Sequence, residues 1–261
     1  MCVILAKTSL ALTGTASARS MPARPRQGCA QALVRDSKRP HRKDLSFNKG
    51  LMGPISPELG DLSQLNILFS GNIPDKFGDL SELSFLALNS NNFTGKIPPS
   101  LGKLSKLYWL DFVDNQLTGP IPVSTSTTPG LDLLLKAKHF HFSKNQLSDS
   151  IPPKLFNSDM KLIHILFDNN DLSGSIPSTI GLVQTVEVLR LDRNFLTGEV
   201  PSNLNNLSNI NELNLAHNNL SGPLPDLTSM DTLNYVDLSK NNFDPSEAPS
   251  WLTTIPTLTT L

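Results

Sequence analysis

Histidine and aspartate side chains that could bind a metal ion or transfer a proton are concentrated in one stretch of this 261-residue chain. His139 and His141 are two residues apart, so on a β-strand their imidazoles would project from the same face and could share an ion. His164 and Asp111 could join them only if folding brings neighbouring strands together. The possible chemistry therefore depends on the elements that position these residues.

Motifs of known catalytic machinery are missing from the sequence. It contains no Gly-rich phosphate loop, no Gly-x-Ser-x-Gly turn and no lysine with the spacing of a kinase strand. A pair formed by Asp111 and His141, without a positioned nucleophile or a pocket, is a weak basis for catalysis. No metal and no cofactor is predicted, because no acidic group is evident behind the imidazoles. The sequence thus favours a binding protein over an enzyme.

The elements that position these residues belong to a sequence repeat. Steps of the Ile-Pro type fall at Ile55, Ile73, Ile97, Ile121, Ile151, Ile176, Val200 and Leu224, at intervals of 18, 24, 24, 30, 25, 24 and 24 residues. Within one unit, leucines recur every three residues from Leu101 to Leu110, and Phe112 follows after two. Spacing by three favours a tight helical arm, whereas spacing by two predicts a strand. Each unit is therefore predicted to be a coil with one strand and one arm.

An asparagine follows each predicted strand. Its short amide can bond backbone groups that a turn leaves unpaired, so the equivalent residues should form a buried ladder. Gly119, four residues after Asn115, allows a positive φ, and Pro122 suits a short outer strand. The structural asparagine ladder is predicted to comprise Asn91, Asn115, Asn145, Asn170, Asn194, Asn218 and Asn241.

Such thin coils cannot bury their leucines alone and must stack. The sequence thus predicts an α/β solenoid over residues 45–261, an arc with a parallel β-sheet on its concave face and irregular or 3₁₀ arms on its convex face. It has about eight units, of which one is shortened near 66–71, one is lengthened near 124–130 and the last is incomplete. No strand is expected in the last unit, so the C-terminal edge of the sheet should be open.

Charge separates a leader from the repeats. Residues 1–44 hold nine Lys or Arg and two acidic residues, whereas residues 45–261 hold thirteen and twenty-one. The acidic repeats argue against nucleic acid as a partner. The leader is predicted to be disordered or a weak targeting segment, and it is not a convincing signal peptide because Lys7 interrupts its apolar run. The sequence contains no run of 18 apolar residues, so no membrane span is predicted.

The segments from Asn115 to Pro122 and from Asn194 to Pro201 resemble the repeats of plant leucine-rich-repeat receptor-like kinases. The resemblance covers residues 45–261 and is greatest to the subgroup that includes a plant hydrogen-peroxide sensor. It implies a truncated ectodomain, without the membrane helix and Ser/Thr kinase of full-length relatives, that binds a peptide, a protein or a co-receptor ectodomain. Peroxide sensing by cysteine pairs is not favoured, because both cysteines, Cys2 and Cys29, lie in the leader.

The predicted binding face consists of strand residues two, four and six places before each ladder asparagine, which should point outward from the concave sheet. Trp109, His139 and His164 should then lie side by side, with His141 next to Asp111, and Asp168 and Asp192 should flank Arg190. The predicted ligand-binding residues are Phe85, Trp109, Asp111, His139, His141, His164, Asp168, Arg190, Asp192 and Tyr235. Exposed aromatic and charged side chains on a rigid sheet suit peptide recognition.

Three sequons, at Asn92, Asn206 and Asn219, predict N-glycosylation if the chain enters the secretory route. Together with the resemblance they imply an extracellular or cell-surface location. Two alternatives to a receptor module remain open at this point. The chain could be a cell-wall or defence scaffold of the polygalacturonase-inhibitor type, or the ectodomain fragment of a gene whose full product is a kinase.

Overall fold

The computed structural model describes residues 2–4 and 69–260. Apart from residues 2–4, the predicted leader lies outside the described residues, and so does most of the first unit. The shortened unit near 66–71 is described only from residue 69 onward. The repeats from there to the C-terminal end form the predicted solenoid.

Parallel strands form an eight-stranded sheet on the concave face; seven come from successive coils and one is formed by residues 2–4. Along the chain, most of these strands are separated from the next one by a complete coil. Residues that pair across the sheet are therefore far apart in sequence. In spatial order, the strands are Cys2–Ile4, Phe85–Ala87, Trp109–Asp111, His139–His141, His164–Leu166, Val188–Arg190, Glu212–Asn214 and Tyr235–Asp237.

Short 3₁₀ helices form the convex arms. They span Asp75–Asp79, Pro99–Lys103, Leu131–Leu133, Pro153–Leu155, Ser178–Leu182 and Ser202–Asn206. Most of them start directly after a proline in extended conformation, such as Pro98 with φ −66° and ψ 126°. The fixed φ of proline favours this entry into a tight turn. The predicted assignment of arms to the convex face is confirmed.

Outer strands follow the ladder asparagines and form two further parallel sheets of four strands each. The first contains Ser70–Asn72, Asn92–Gly95, Gln116–Gly119 and Gln146–Leu147, and the second contains Ser173–Gly174, Phe195–Gly198, Asn219–Gly222 and Asn242–Phe243. The two sheets meet where Asp149, with φ 67°, stands in the place that Gly119 (φ 76°) occupies in the preceding coil.

The core is a column of leucines and phenylalanines inside the coils. Leu110, Leu117 and Leu189 are among many side chains with no exposed surface. The rings of Phe142 and Phe167 stack with centroids 5.1 Å apart. Because each coil contributes the same few positions, the apolar side chains of neighbouring coils complete one continuous core.

The ladder asparagines join successive coils by one repeated pattern. In Asn170, Oδ1 accepts the backbone N–H of Leu147 in the preceding coil at 3.0 Å. Its Nδ2 donates to the carbonyls of Phe142, Phe167 and Asp168 at 3.0–3.2 Å. Equivalent bonds are made by Asn91, Asn115, Asn145, Asn194, Asn218 and Asn241. Each side chain therefore bonds backbone groups that the turn exposes.

The lengthened unit carries its extra residues as an ordered loop on the convex side. Asp132 is 5% exposed, and its carboxylate accepts the backbone N–H of Ser124 at 2.6 Å and the hydroxyl of Ser124 at 2.5 Å. Lys154, from the next coil, places Nζ 4.0 Å from the same carboxylate. These bonds hold the loop against the arm.

The last coil differs from the prediction of an open sheet edge. Residues Trp251–Thr254 form a short α-helix, and the indole of Trp251 is 3% exposed and donates to the carbonyl of Pro225 at 3.0 Å. Thr260 then pairs with Tyr235 in a parallel bridge and accepts the N–H of Val236 at 3.1 Å. The prediction of an open edge was wrong because a pairing that involves one residue, Thr260, leaves no periodic pattern in the sequence.

Candidate functional site

The outward-facing strand residues lie in the register that the spacing predicts. From Phe85 onward, the first column runs through Trp109, His139, His164, Val188, Glu212 and Tyr235. The second column places Asp111 beside His141 and Leu166 beside Arg190. The alternation of side chains along a strand turns both columns toward the concave side.

An aromatic cluster occupies one part of this face, and it consists of Phe85, Tyr108, Trp109, His139, His141 and His164. The ring centroids of Trp109 and His139 are 4.0 Å apart, and those of His139 and His164 are 4.6 Å apart. This packing leaves His139 only 7% exposed and His141 only 8% exposed, whereas Trp109 and His164 keep intermediate exposure. The two buried histidines thus form the floor of the cluster.

The histidine nitrogens converge within the aromatic cluster. Nε2 of His141 lies 3.3 Å from Nδ1 of His164. The other nitrogen of His141, Nδ1, lies 3.9 Å from Oδ2 of Asp111. Asp111 is itself fixed, because its Oδ1 accepts the backbone N–H of Val113 at 3.0 Å. His139 differs in that its buried Nδ1 has no hydrogen-bond partner within residues 2–4 and 69–260.

Burial and mutual repulsion keep two of these imidazoles neutral. Burial, followed by the nearby His164 and His141, lowers the pKa of His139 from 6.5 to about 3. Burial, followed by His141 and Arg190, lowers the pKa of His164 to about 4. At neutral pH both rings therefore have unprotonated nitrogens that can accept a hydrogen bond or bind a metal ion.

A charged cluster adjoins the aromatic cluster along the sheet, and it consists of Asp168, Arg190, Asp192, Arg193 and Glu212. The guanidinium of Arg190 pairs with Glu212 at 2.5 Å, and the carboxylates of Asp168 and Asp192 also lie close enough to interact with its charge. Asp192 itself pairs with Arg193 at 2.5 Å. Asp168 accepts the hydroxyl of Ser143, also at 2.5 Å.

Asp192 is the most confined charge of this cluster. Asp192 is 2% exposed, and among the described residues its Oδ1 has no hydrogen-bond partner, although Oδ2 pairs with Arg193. Burial, followed by repulsion from Asp168, raises the pKa of Asp192. A buried carboxylate oxygen without a partner costs free energy, and its burial also keeps it out of direct contact with a ligand on the concave face.

Three participants were missed from the sequence. Tyr108 precedes the strand yet stacks near Phe85, with centroids 5.7 Å apart. Arg193 lies in the turn before a ladder asparagine, where a left-handed backbone (φ 53°) turns its side chain back toward Asp192. Glu212 was assigned to the first column but not to the ligand-binding residues. Only the pairing of charges across adjacent strands could have indicated it from the sequence.

Other predicted positions lie at the edges of this surface. Tyr235 is half-buried beside the last bridge of the sheet, and burial raises the pKa of its phenol. The sequon asparagines Asn206 and Asn219 are exposed, and Asn92 has intermediate exposure.

Within residues 2–4 and 69–260, no helix has the length and apolar character needed to cross a membrane.

Comparison with known proteins agrees with this geometry. A family model described as leucine-rich repeat matches residues 82–104, 185–207 and 209–230. A probable leucine-rich-repeat receptor-like protein kinase of Arabidopsis thaliana is 62% identical over 136 residues, which cover 52% of this chain and 14% of that protein. The chain therefore spans only about one seventh of the length of this curated relative.

Solved structures of plant receptors give the same result. The leucine-rich-repeat ectodomain of the Arabidopsis receptor kinase HAESA, in complex with an N-terminally extended IDA peptide hormone, has a TM-score of 0.67 and 35% identity over 74% of this chain and 31% of that chain. HAESA in complex with IDA and the co-receptor SERK1 has a TM-score of 0.66 and 34% identity over the same shares. These matches favour the receptor prediction over the inhibitor scaffold.

The matched residues correspond to repeats of ectodomains and not to a catalytic domain. The likeness to these solved receptors is a likeness of fold that extends over 74% of this chain. This chain contains leucine-rich repeats, and its repeat domain is similar to the ectodomains of plant receptor-like kinases.

Proposed function

We propose that this chain is a non-catalytic recognition module that binds a peptide or a partner ectodomain through its concave face. The observation that carries the proposal is the continuity of the aromatic and charged clusters across neighbouring strands of one sheet. Aromatic rings and arginine provide most of the binding energy at protein interfaces. The similar ectodomain of HAESA is described as bound to a peptide hormone and a co-receptor, which supports the same use here.

The two clusters would contribute different parts of recognition. Tyr108 is 40% exposed and Trp109 has intermediate exposure, so an apolar side chain of a peptide can pack against them. Further along the sheet, the side chain of Arg190 is 44% exposed, so an acidic group of the same peptide could bond its guanidinium. An extended peptide lying across the strands would reach both clusters.

A selection from a displayed library of random 12-residue peptides, made on the purified full chain, tests this function. Trp109→Ala should weaken the binding of selected peptides at least about tenfold, because aromatic anchors of an interface are worth about 2 kcal/mol or more. Phe195→Ala is a matched control, since Phe195 is a 57% exposed aromatic residue on an outer strand and not on the concave sheet. Peptides that respond to the Phe195 variant and ignore the Trp109 variant would contradict the proposal.

The same proposal places the module outside the cell, as part of a receptor-like kinase or as a soluble form of its ectodomain. The exposed sequon asparagines support this location, because N-glycans are added in the secretory route. Production in plant cells should yield a secreted protein whose mass falls on enzymatic removal of N-glycans. The variant Asn219→Gln should lose one glycan, whereas an unglycosylated intracellular product would refute the location.

A further inference from the structure

We infer that His139, His141 and His164 form a binding site for one divalent transition-metal ion of the Zn²⁺ type on the concave face. One ring nitrogen from each of the three histidines lies within 4.8 Å of the corresponding nitrogens of the other two. Three imidazoles are a common ligand set for zinc, with the fourth position of the tetrahedron open. The site does not depend on what else the concave face binds.

The separation of two nitrogens already matches a bound ion. Ligands about 2.05 Å from a tetrahedral zinc ion lie about 3.3 Å from each other. Nε2 of His141 and Nδ1 of His164 are 3.3 Å apart. These two atoms can therefore accept the ion without a change in backbone position, and the ligand nitrogen of His139 lies within 4.8 Å of both.

The third histidine has an unused nitrogen. Nδ1 of His139 is buried and has no hydrogen-bond partner among the described residues. A buried polar atom without a partner costs free energy that a ligand would recover. Trp109 covers the His139 ring at a centroid distance of 4.0 Å and restricts its orientation. The ring is thus held in a state that favours coordination over solvation.

A carboxylate supports the site from behind, and it belongs to the residue that the strand register placed next to His141. Oδ2 of Asp111 lies 3.9 Å from Nδ1 of His141, on the side of the ring opposite to the proposed ion. Carboxylates in this position orient metal-binding imidazoles and increase their basicity. Asp111 cannot turn away freely, because its other oxygen bonds Val113. The expectation of no acidic group behind the imidazoles was wrong.

Calorimetric titration of the full chain with Zn²⁺ tests the inference, with Mg²⁺ as a negative control because magnesium prefers oxygen ligands. We expect one ion to bind per chain. His164→Asn should weaken zinc binding by more than about tenfold, and Asp111→Asn should weaken it by about tenfold. Asn at position 111 can still accept the N–H of Val113, so the variant removes the charge and preserves the turn. His217→Asn is the matched control, because His217 is exposed, lies outside the cluster and has φ 55°, which asparagine tolerates.

A measurement on the unmodified chain removes any dependence on variant folding. In ¹H–¹⁵N spectra of the imidazole rings, Zn²⁺ should shift the signals of His139, His141 and His164 and leave those of His217 unchanged. Zinc that binds wild type and the His164 variant equally would be held elsewhere, for example by Cys2 or Cys29, and would overturn the inference. Ring signals that do not respond to zinc would overturn it as well.

Discussion

Replacing one ladder asparagine should destabilise the solenoid far more than replacing an exposed asparagine. In Asn170→Ala, the buried N–H of Leu147 loses the Oδ1 that it bonds at 3.0 Å. Leaving such a group unpaired costs about 1–3 kcal/mol. The three carbonyls that Nδ2 bonds lose less, because each keeps another donor: Asn145 for Phe142, Asn194 for Phe167 and the backbone of Lys144 for Asp168.

Together these losses give about 2–4 kcal/mol for Asn170→Ala, a large part of the stability of a typical domain. Asn194→Ala should cost a similar amount, because its side chain makes the same bonds one coil later. Asn219→Ala, at an exposed position, should stay within about 0.5 kcal/mol of wild type.

Urea unfolding followed by circular dichroism measures these differences, and hydrogen exchange locates them. The amide of Leu147 should lose protection in the Asn170 variant and keep it in the Asn219 variant. The reasoning would be refuted by an Asn170 variant as stable as the Asn219 variant. A stability loss without faster exchange at Leu147 would refute the assignment of the cost to that N–H group.

Three further predictions concern charge, close packing and the inserted loop. With metal removed by a chelator, the free energy of unfolding should keep its full value above about pH 6.5 and should fall by roughly 2–4 kcal/mol toward pH 5. The folded pKa values of His139 (about 3) and His164 (about 4) lie below the unfolded value, so the unfolded chain binds more protons in this range. A His139→Asn/His164→Asn variant should show a flatter pH profile of stability, and an unchanged profile would contradict the assignment. Gly102→Ala should destabilise the chain by about 2 kcal/mol or more, since the added Cβ would lie 2.2 Å from the carbonyl oxygen of Gly130, and a melting temperature equal to wild type would show that the arms can separate. Asp132→Ala should release the loop and speed hydrogen exchange at Ser124, whose N–H loses its acceptor, while exchange in the concave strands stays the same.

The repeat made most of the fold predictable. The spacing of Leu101, Leu104 and Leu107 placed the arm, and the change to spacing by two placed the strand that begins at Trp109. The ladder positions followed from the same register, because an asparagine that bonds the unpaired backbone groups of a turn recurs once in each coil. Thr260 escaped prediction because its strand pairing is set by the neighbouring coil and not by its local sequence.

The site was predictable in position but not in partner choice. Side-chain alternation predicts that Arg190 and Glu212 project toward the same face, yet it does not say that Arg190 extends toward Glu212 and not toward an aspartate. Long side chains choose among neighbours by rotamer and by local desolvation, which a strand period does not encode. The burial of His139 likewise arises from the rings around it.

The inserted loop and the histidines belong to the same coil. Residues 124–129 lie on the convex side of the coil whose concave strand is His139–His141. The arms beside the insertion are packed as closely as elsewhere, because a Cβ on Gly102 would lie 2.2 Å from the carbonyl oxygen of Gly130, the same distance as between Gly78 and Ser100. Extra length at the back of the arc is therefore absorbed by the loop itself. The strand register that holds the imidazoles on the front of the arc stays as it is.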